Sequence, residues 1–194
     1  SHNFLQFPQI LKKKIKYNSR SSKKVWTKAK LAVEGRKIME KLKSVFKSMF
    51  QELVRNNNKL ELYHKIKWQF QLENYLKYVT NIRERVAISK FRTSAHNLPI
   101  ETGRYQNIPR EERLCKLCKL NKIGCEKHIL FECDHPSIQK AREQMQSTIG
   151  KLIPDFTKLQ NEDKLLYVLS CSDQDLTKVI GGFLNTCLKL QKEC

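Results

Sequence analysis

The chain has 194 residues, of which 40% are hydrophobic, and it carries a formal net charge of +19 at pH 7. This length can bury a hydrophobic core, and the scarcity of glycine (six) and proline (five) favours helices over strands joined by tight turns. The sequence has no run of 18 apolar residues and no apolar segment ahead of a small-residue cleavage site. It therefore predicts neither a membrane span nor a secretory signal, and we expect an intracellular fragment of a longer protein.

The positive charge is concentrated in the first half of the chain. Residues 1–55 hold 15 Lys and Arg against 3 Asp and Glu, residues 56–110 hold 10 against 4, and residues 111–194 hold 13 against 12. A field of one sign favours association with a polyanion, which indicates nucleic acid or an anionic membrane surface as the partner class. The alternative interpretation is a solvated helix face joined to a disordered basic tail.

The predicted elements begin with a flexible basic arm, residues 1–24, which contains LKKKIK and SRSSKK. Such an arm is typical of nuclear-import or nucleic-acid segments and is compatible with a nuclear location. Beyond it, apolar residues recur at three- and four-residue steps, which is the period of a helix with one buried side. This period predicts helices at 25–55, 59–70, 81–95, 136–152, 162–170 and 173–192.

The predicted fold class is mostly α, an irregular helical domain with one small Cys3His zinc knuckle inserted between helical segments. We divide the chain into the arm (1–24), a basic helical region (25–110), the knuckle (111–136) and a C-terminal helical region (137–194). Asn161 and Asp173 are the predicted N-caps of the last two helices. Pro99 and Gly103 are expected to end the helical structure that precedes the knuckle.

Four cysteines and a histidine lie in one short stretch, LCKLCKLNKIGCEKHILFEC, residues 114–133. Cys115 and Cys118 form a C-x2-C pair, and His128 and Cys133 form an H-x4-C pair nine residues further on. Together the two pairs complete a tetrahedral Cys3His shell, which suits the borderline-soft zinc ion. In a reducing compartment, clustered thiols are more often metal ligands than disulfides. We therefore predict one Zn²⁺.

This zinc is expected to be structural. A shell of four protein ligands leaves no coordination position for a reacting water, so the metal should hold the fold rather than catalyse a reaction. Three thiolates and one Zn²⁺ carry a net charge of −1, which Lys116, Lys119 and Lys127 can offset locally.

A second ligand set also has acceptable spacing. Cys125 lies at C-x2-H from His128, so a shell of Cys115, Cys118, Cys125 and His128 is an alternative, and His135 is a further candidate. The cysteines could also be small buried hydrophobes, but that interpretation accounts poorly for two close pairs.

One stretch resembles a known family. Residues 90–133, KFRTSAHNLPIETGRYQNIPREERLCKLCKLNKIGCEKHILFEC, contain a basic helix, SAH, IETGRY, IPREER, C-x2-C and H-x4-C in series. This series resembles the C-terminal zinc-binding segment of non-LTR retrotransposon reverse transcriptases. The flanks KLELYHKIKWQFQLENYL and LLYVLSCSDQDLTKVIGGFLNTC are similar to the same family, so the resemblance covers roughly residues 55–190.

The resemblance implies that the segment binds the element's RNA or its DNA target during target-primed reverse transcription. It also implies the ligands Cys115, Cys118, His128 and Cys133, and the polymerase domain of the same parent chain as a partner. A membrane partner or a small-molecule substrate is not expected. One departure is Cys125, which stands where the family usually has an acidic residue.

Catalysis is not expected in this segment. No Asp-Asp dipeptide occurs, although a polymerase needs paired aspartates to hold its two metal ions. The stretch PDFTKLQNEDK offers Pro154-Asp155 and Glu162-x-Lys164 in the order that a restriction-like nuclease uses. However, these carboxylates are seven residues apart on a helical pattern, without the strand hairpin of such nucleases.

Nucleic acid is predicted to bind a set of basic residues on the helix 81–95 and in the stretch leading into the knuckle. Guanidinium groups suit phosphate because they bind it bidentately and remain ionised. Each residue taken separately is also explained as an ordinary surface residue. The predicted phosphate-binding residues are Arg83, Arg85, Lys90, Arg92, Arg104, Arg110, Arg113 and Lys116.

Two further interpretations stay open at the level of sequence. Trp68, Phe70, Tyr75 and Tyr78 could stack on bases, although their helical spacing favours core packing. His96 is explained without a ligand role by burial and a hydrogen bond. The competing functions are a protein-interaction module, in which the helix 173–192 docks a partner, and a retroelement remnant with no present function.

Overall fold

The computed structural model describes residues 27–67 and 69–193, and these residues form eight α-helices and no β-strand. The helices are α1 (Lys28–Asn56), α2 (Glu61–Ile66), α3 (Tyr75–Tyr78), α4 (Ile82–Arg92), α5 (Pro99–Tyr105), α6 (Pro136–Leu152), α7 (Asn161–Ser170) and α8 (Gln174–Leu190). Single turns of 3-10 helix occur at Asn58–Leu60, Arg110–Glu112 and Pro154–Lys158, and His128–Glu132 is a π-helical turn. The predicted fold class, mostly α with a Cys3His cluster between helical segments, is confirmed.

The chain divides into two compact units, residues 1–45 and 46–194. In the first unit, the described residues belong to α1, and none of residues 27–45 is buried. Their apolar side chains are therefore exposed, including Ile38, Met39 and Leu42. The predicted basic arm, residues 1–24, lies outside the described residues.

The second unit contains the hydrophobic core, and α8 is its centre. This helix packs against α3, α4, α6 and the π-helical turn. A Cβ at Gly181 would lie 3.1 Å from the Cβ of Glu84 and 3.2 Å from Ile88 Cδ1, so glycine allows α8 to approach α4 closely. Eight residues of α8 are buried, so its apolar side packs in the core of this unit. That side is therefore not available to dock a partner.

The predicted helices are present, but several of their ends differ. Helix α4 ends at Arg92 rather than 95, and the expected end of helical structure at Pro99 is wrong, because Pro99 opens the new helix α5. Proline fits there because the first helical position has no use for an N–H donor. Asp173 caps α8 as predicted by accepting from the N–H groups of Asp175 and Leu176, whereas Asn161 is not a cap and begins α7.

Among the described residues, no helix is both long and apolar enough to cross a bilayer.

Candidate metal centre and basic grooves

The knuckle begins with a short antiparallel turn that carries the first two cysteines. Leu114 and Ile123 form an isolated β-bridge, in which Cys115 N–H donates to Lys122 O and Gly124 N–H donates to Arg113 O, both at 2.8 Å. The turn between them contains Cys118 and passes through Asn121, whose φ of 50° is left-handed. Asparagine tolerates this conformation better than most residues, which explains how so short a turn closes.

The other two ligands come from the π-helical turn. His128 begins this turn and Cys133 follows it directly, with Cys133 N–H donating to His128 O at 2.7 Å. The two ligands are therefore one wide turn apart, with four residues between them, and both side chains reach the same place. Turns of this kind are rare and are frequently found at functional sites.

The structure brings the four predicted ligands together in one metal cluster, Cys115, Cys118, His128 and Cys133. Their ligand atoms all lie within 4.8 Å of one another, and three of the four residues are buried. The Sγ atoms of Cys115 and Cys133 are 4.0 Å apart, and Cys118 Sγ is 3.2 Å from His128 Nε2. A helical protein with a buried Cys3His group that could hold one metal ion, such as zinc, is therefore established.

These distances agree with tetrahedral zinc. Bonds of about 2.3 Å to sulfur and about 2.0 Å to nitrogen place two sulfurs about 3.8 Å apart and a sulfur and nitrogen about 3.5 Å apart, so the separations of 4.0 Å and 3.2 Å lie within about 0.3 Å of these values. Backbone N–H groups already point at the sulfurs: Leu117 and Cys118 donate to Cys115, and His135 donates to Cys133. Such bonds stabilise a thiolate, which is the form that binds metal.

The thiols of the metal cluster hold their protons unequally. The hydrogen bond with Cys133 lowers the pKa of the Cys115 thiol to about 3, and the same contact raises the pKa of Cys133. Burial raises the pKa of Cys118. A bound metal would have to displace the protons of Cys118 and Cys133, so we expect metal affinity to increase with pH.

Charged residues around the metal cluster fix its backbone. Arg142 of α6 donates to the carbonyl oxygens of Leu130 at 2.7 Å and Cys133 at 2.6 Å, so it holds the end of the π-helical turn. Glu132 Oε2 lies 3.7 Å from His128 Nδ1, on the side of the imidazole away from Cys118. This distance is too long for a hydrogen bond, and His128 Nδ1 has no hydrogen-bond partner among the described residues.

The SAH sequence ahead of the knuckle anchors it to the end of α4. His96 Nε2 lies 2.9 Å from Glu126 Oε1, and Ser94 Oγ donates to the same oxygen at 3.2 Å. Burial raises the pKa of Glu126, but the hydrogen bonds from His96 and Ser94 outweigh it, and the net pKa is below the usual value. The buried, hydrogen-bonded role expected for His96 agrees with this geometry.

The alternative ligands lie elsewhere. Cys125 is half-buried and is not a member of any metal cluster among the described residues, so the structure does not assemble the shell that includes it. His135 stands at the N-cap of α6 with a buried Nδ1 that has no hydrogen-bond partner there. Of the lysines expected to offset the cluster's charge, Lys127 instead pairs with Glu162 at 2.7 Å.

The predicted phosphate-binding residues are distributed over several environments. Arg83, Arg110 and Lys116 are exposed, whereas Arg85, Lys90, Arg104 and Arg113 are half-buried. Arg92 is buried, with its guanidinium bonded to Glu73 Oε2 at 2.9 Å and to Leu169 O at 2.8 Å. Arg113 is also engaged, because it donates to the carbonyls of Ile100 and Ile108.

Two of the predicted residues share a groove of about 330 Å³ between α4 and α8, which we call the α4–α8 groove. Arg83 and Lys90 line one wall, and Asn185, Lys189 and Lys192 line the other. Four of its lining residues are basic and none is acidic. Lys189 and Lys192 were not predicted from the sequence, because nothing in their spacing indicates that the end of α8 lies beside α4.

A larger groove lies beside the knuckle. It has a volume of about 1060 Å³ and includes Arg104, Arg110 and Arg113 among its lining residues. Five glutamates line it as well, and several of them form ion pairs with neighbouring Lys or Arg side chains, as Glu101 does with Arg104 at 2.8 Å. Its positive field is therefore weaker than that of the α4–α8 groove.

The aromatic residues considered for base stacking mainly pack within the second unit. Tyr75 is buried, and Phe70 contacts Phe50 with ring centroids 5.5 Å apart. Tyr78 is half-buried, and Trp68 lies outside the described residues. Core packing is therefore the role that the geometry gives to Tyr75.

The carboxylates of the nuclease-like stretch are each paired with a lysine. Asp155 pairs with Lys158 at 2.8 Å and Glu162 with Lys127 at 2.7 Å, and all four side chains are exposed or nearly so. Neither carboxylate belongs to a metal cluster among the described residues.

Comparisons with known proteins identify no relative. No protein-family model, no curated protein and no solved structure matches this chain. The function must therefore be inferred from the metal cluster, the grooves and the sequence motif.

Proposed function

We propose that this chain is a zinc-stabilised, non-catalytic nucleic-acid-binding segment, as the resemblance to the C-terminal region of non-LTR retrotransposon reverse transcriptases implies. In this proposal one structural Zn²⁺ occupies the metal cluster and holds the knuckle against α4 and α6. The polynucleotide is element RNA or target DNA, and the polymerase domain of the parent chain is the second partner. Catalysis belongs to that domain rather than to this segment.

The α4–α8 groove is the observation that supports the proposal best. Four basic side chains from two helices converge there with no acidic residue in the lining. A surface with only positive charges favours binding to the phosphates of a nucleic-acid backbone, because each Lys or Arg contact releases a counterion condensed on the nucleic acid. The exposed apolar residues Ile82 and Val86 lie in the same groove and could contact sugars or bases.

The test is the salt dependence of binding. Replacing Lys189 and Lys192 together by glutamine should weaken binding of RNA or DNA and should reduce the slope of log K against log salt. The expected reduction is about 1.4 for single strands and about 1.8 for duplex DNA if both lysines neutralise a phosphate. Fluorescence anisotropy from low to moderate salt measures both quantities.

A matched control is the double change of Lys140 and Lys151 to glutamine, on the exposed surface of α6. It removes the same charge without touching the groove, so it should leave the slope nearly unchanged. Equal losses of affinity in both double variants would show that net charge, and not the α4–α8 groove, determines binding. Absence of nucleic-acid binding by the unmodified chain at low salt would refute the proposed function.

A second candidate function is docking of a protein partner, and the exposed apolar side of α1 favours it. Ile38, Leu42 and Val45 are each at least 40% exposed. Changing Ile38 and Leu42 together to serine, which leaves the net charge unchanged, should leave nucleic-acid affinity almost unaltered under the first proposal. If this double variant binds nucleic acid as weakly as the groove variant does, α1 rather than the α4–α8 groove provides the binding surface.

A further inference from the structure

A cluster of buried charges lies apart from the metal cluster, in a small cavity bounded by α2, α3, α4 and the end of α7. Its charged members are Lys67, Glu73 and Arg92, and we call the site the charged cavity. Lys67 Nζ lies 3.1 Å from Glu73 Oε1, and Arg92 Nη2 lies 2.9 Å from Glu73 Oε2. Tyr63 donates its hydroxyl to the same carboxylate at 2.9 Å.

The charges in the cavity do not balance. Lys67 and Arg92 are 7% and 5% exposed, so two buried cations share one carboxylate. Lys67, Glu73 and Arg92 are the only charged groups among the described residues that line the cavity, which leaves one uncompensated positive charge. A buried charge without a partner is costly, and proteins normally pair it.

Hydrogen-bond donors remain free at the same place. The Nε–H of Arg92 is buried and has no acceptor among the described residues. The ammonium group of Lys67 has three N–H donors. One bonds to Gln71 O at 2.6 Å and one to the Glu73 carboxylate, so the third has no acceptor among these groups. Ser170 and Ser172 also line the cavity, but their hydroxyls already donate to Tyr167 O and Ser170 O, each at 3.4 Å.

The size of the cavity limits its occupant. It has a volume of about 80 Å³, enough for several waters or one tetrahedral oxyanion but too small for a nucleotide base with its sugar. The excess positive charge and the free N–H donors favour an anion over neutral water. A tetrahedral oxyanion can accept from the unused N–H groups of Arg92 and Lys67 at once.

We propose that the charged cavity binds one phosphate group, supplied either as free inorganic phosphate or as the terminal phosphate of a nucleic-acid strand. The phosphate neutralises the uncompensated charge of Lys67 and Arg92 and accepts the unused Arg92 Nε–H. The charged cavity shares no lining residue with the α4–α8 groove, so a test of phosphate binding here is independent of the proposed function.

The test uses the full chain and inorganic phosphate at constant ionic strength, with chloride as the balancing anion. Calorimetric titration should show one saturable site, and phosphate at ten times its Kd should raise the melting temperature by about 3–6 °C. The Lys67→Met variant should lose both effects. Lys65→Met, which removes an exposed lysine of α2, is the matched control and should keep both.

A second variant covers the case in which Lys67→Met does not fold. Ser172→Glu places a carboxylate at the exposed rim of the cavity, where it can occupy the anion position. This variant should melt above the unmodified chain in phosphate-free buffer and should no longer respond to phosphate. An unsaturable rise that is equal in the unmodified chain and the variants would overturn the site, because phosphate also stabilises proteins non-specifically.

Oligonucleotides distinguish the two sources of phosphate. A short strand with a 5′-phosphate and the same strand with a 5′-hydroxyl are compared as competitors of inorganic phosphate. Competition by the phosphorylated strand alone assigns the site to strand ends, whereas competition by neither assigns it to the free ion. Both results require that inorganic phosphate binds at one saturable site. If the calorimetric titration shows no such site, the proposal is refuted, regardless of how the oligonucleotides compete.

Discussion

The metal cluster and the charged cavity are both buried polar sites, but their residues come from different distances along the chain. The four metal ligands lie between residues 115 and 133, and their spacing alone indicated that they converge. The charged cavity joins Lys67, Glu73 and Arg92 to the end of α7, about a hundred residues later than Lys67. A local site with rare ligands is visible in a sequence, whereas a long-range site made of common charged residues is not.

The largest expected effect is removal of the metal. Changing Cys133 to serine should abolish stoichiometric zinc and destabilise the knuckle severely, since structural zinc contributes on the order of 10 kcal/mol in finger peptides. Elemental analysis and thermal melting, with and without a chelator, measure this. Cys125→Ser is the matched control, because Cys125 lies outside the metal cluster and should retain the zinc.

A melting curve that a chelator leaves unmoved, for a chain that holds no metal when pure, would remove the basis for the zinc proposal. The metal cluster would then be no more than a group of buried thiols and an imidazole, and the spacing of these residues would not have indicated a metal site.

The charged cavity should respond most to loss of its one carboxylate. Glu73→Gln leaves Lys67 and Arg92 buried without a counter-charge, and breaking such a pair costs about 3–5 kcal/mol. Urea unfolding in phosphate-free buffer gives the change in the free energy of unfolding. Glu61→Gln removes an exposed partner of Lys65 and should produce no measurable change.

Equal stabilities of Glu73→Gln and Glu61→Gln would show that the cavity is solvated in solution. Its charges would then need no partner, and the contrast with the metal cluster would become one of burial rather than of sequence distance.

Arg142 connects the knuckle to α6, and its removal should have an intermediate effect. Arg142→Met loses the bonds to the carbonyls of Leu130 and Cys133 while keeping much of the apolar stem, and we expect a loss of about 2–3 kcal/mol. Lys140→Met, an exposed change on the same helix, is the control. If metal affinity falls in Arg142→Met but not in the control, the arginine also orders the ligands.

The smallest effects concern two glycines that differ in their surroundings. A Cβ at Gly124 would lie 2.7 Å from Pro99 Cγ, so Gly124→Ala should destabilise the knuckle by about 1–3 kcal/mol. A Cβ at Gly150 in α6 would meet nothing within 4 Å, so Gly150→Ala should stabilise the chain by about 0.5 kcal/mol. Chemical denaturation of both variants checks the opposite signs, and a shared sign would contradict the close packing of α5 on the knuckle.

Much of the helical structure was predictable, because helical periodicity and caps are local properties. The helix 136–152 was predicted with the bounds that the structure has, and Asp173 was identified as a cap from its position before an apolar run. The start of α5 at Pro99 was missed, because a proline was taken as the end of one helix rather than the beginning of another. The residue type is the same in both cases, and only the following turn distinguishes them.

The candidate basic surface was only partly predictable. Arg83 and Lys90, predicted on the helix 81–95, line the α4–α8 groove, but Arg92 of the same helix is buried against Glu73. Lys189 and Lys192 could not have been chosen, since the packing of α8 on α4 depends on contacts almost a hundred residues apart.

The sequence by itself determined the helical class of this protein and the short stretch that holds its metal ligands, because both follow from patterns that repeat or converge within about twenty residues. Spacing left Cys125 and Cys133 as alternatives, and the structure assembles the cluster with Cys133. Only the tertiary structure decided which charged side chains face solvent, which of them enclose the charged cavity, and which lysines join the α4–α8 groove. The physical reason is that burial depends on the surface that packs against a residue. That surface is contributed by distant parts of the chain, and no local pattern encodes it.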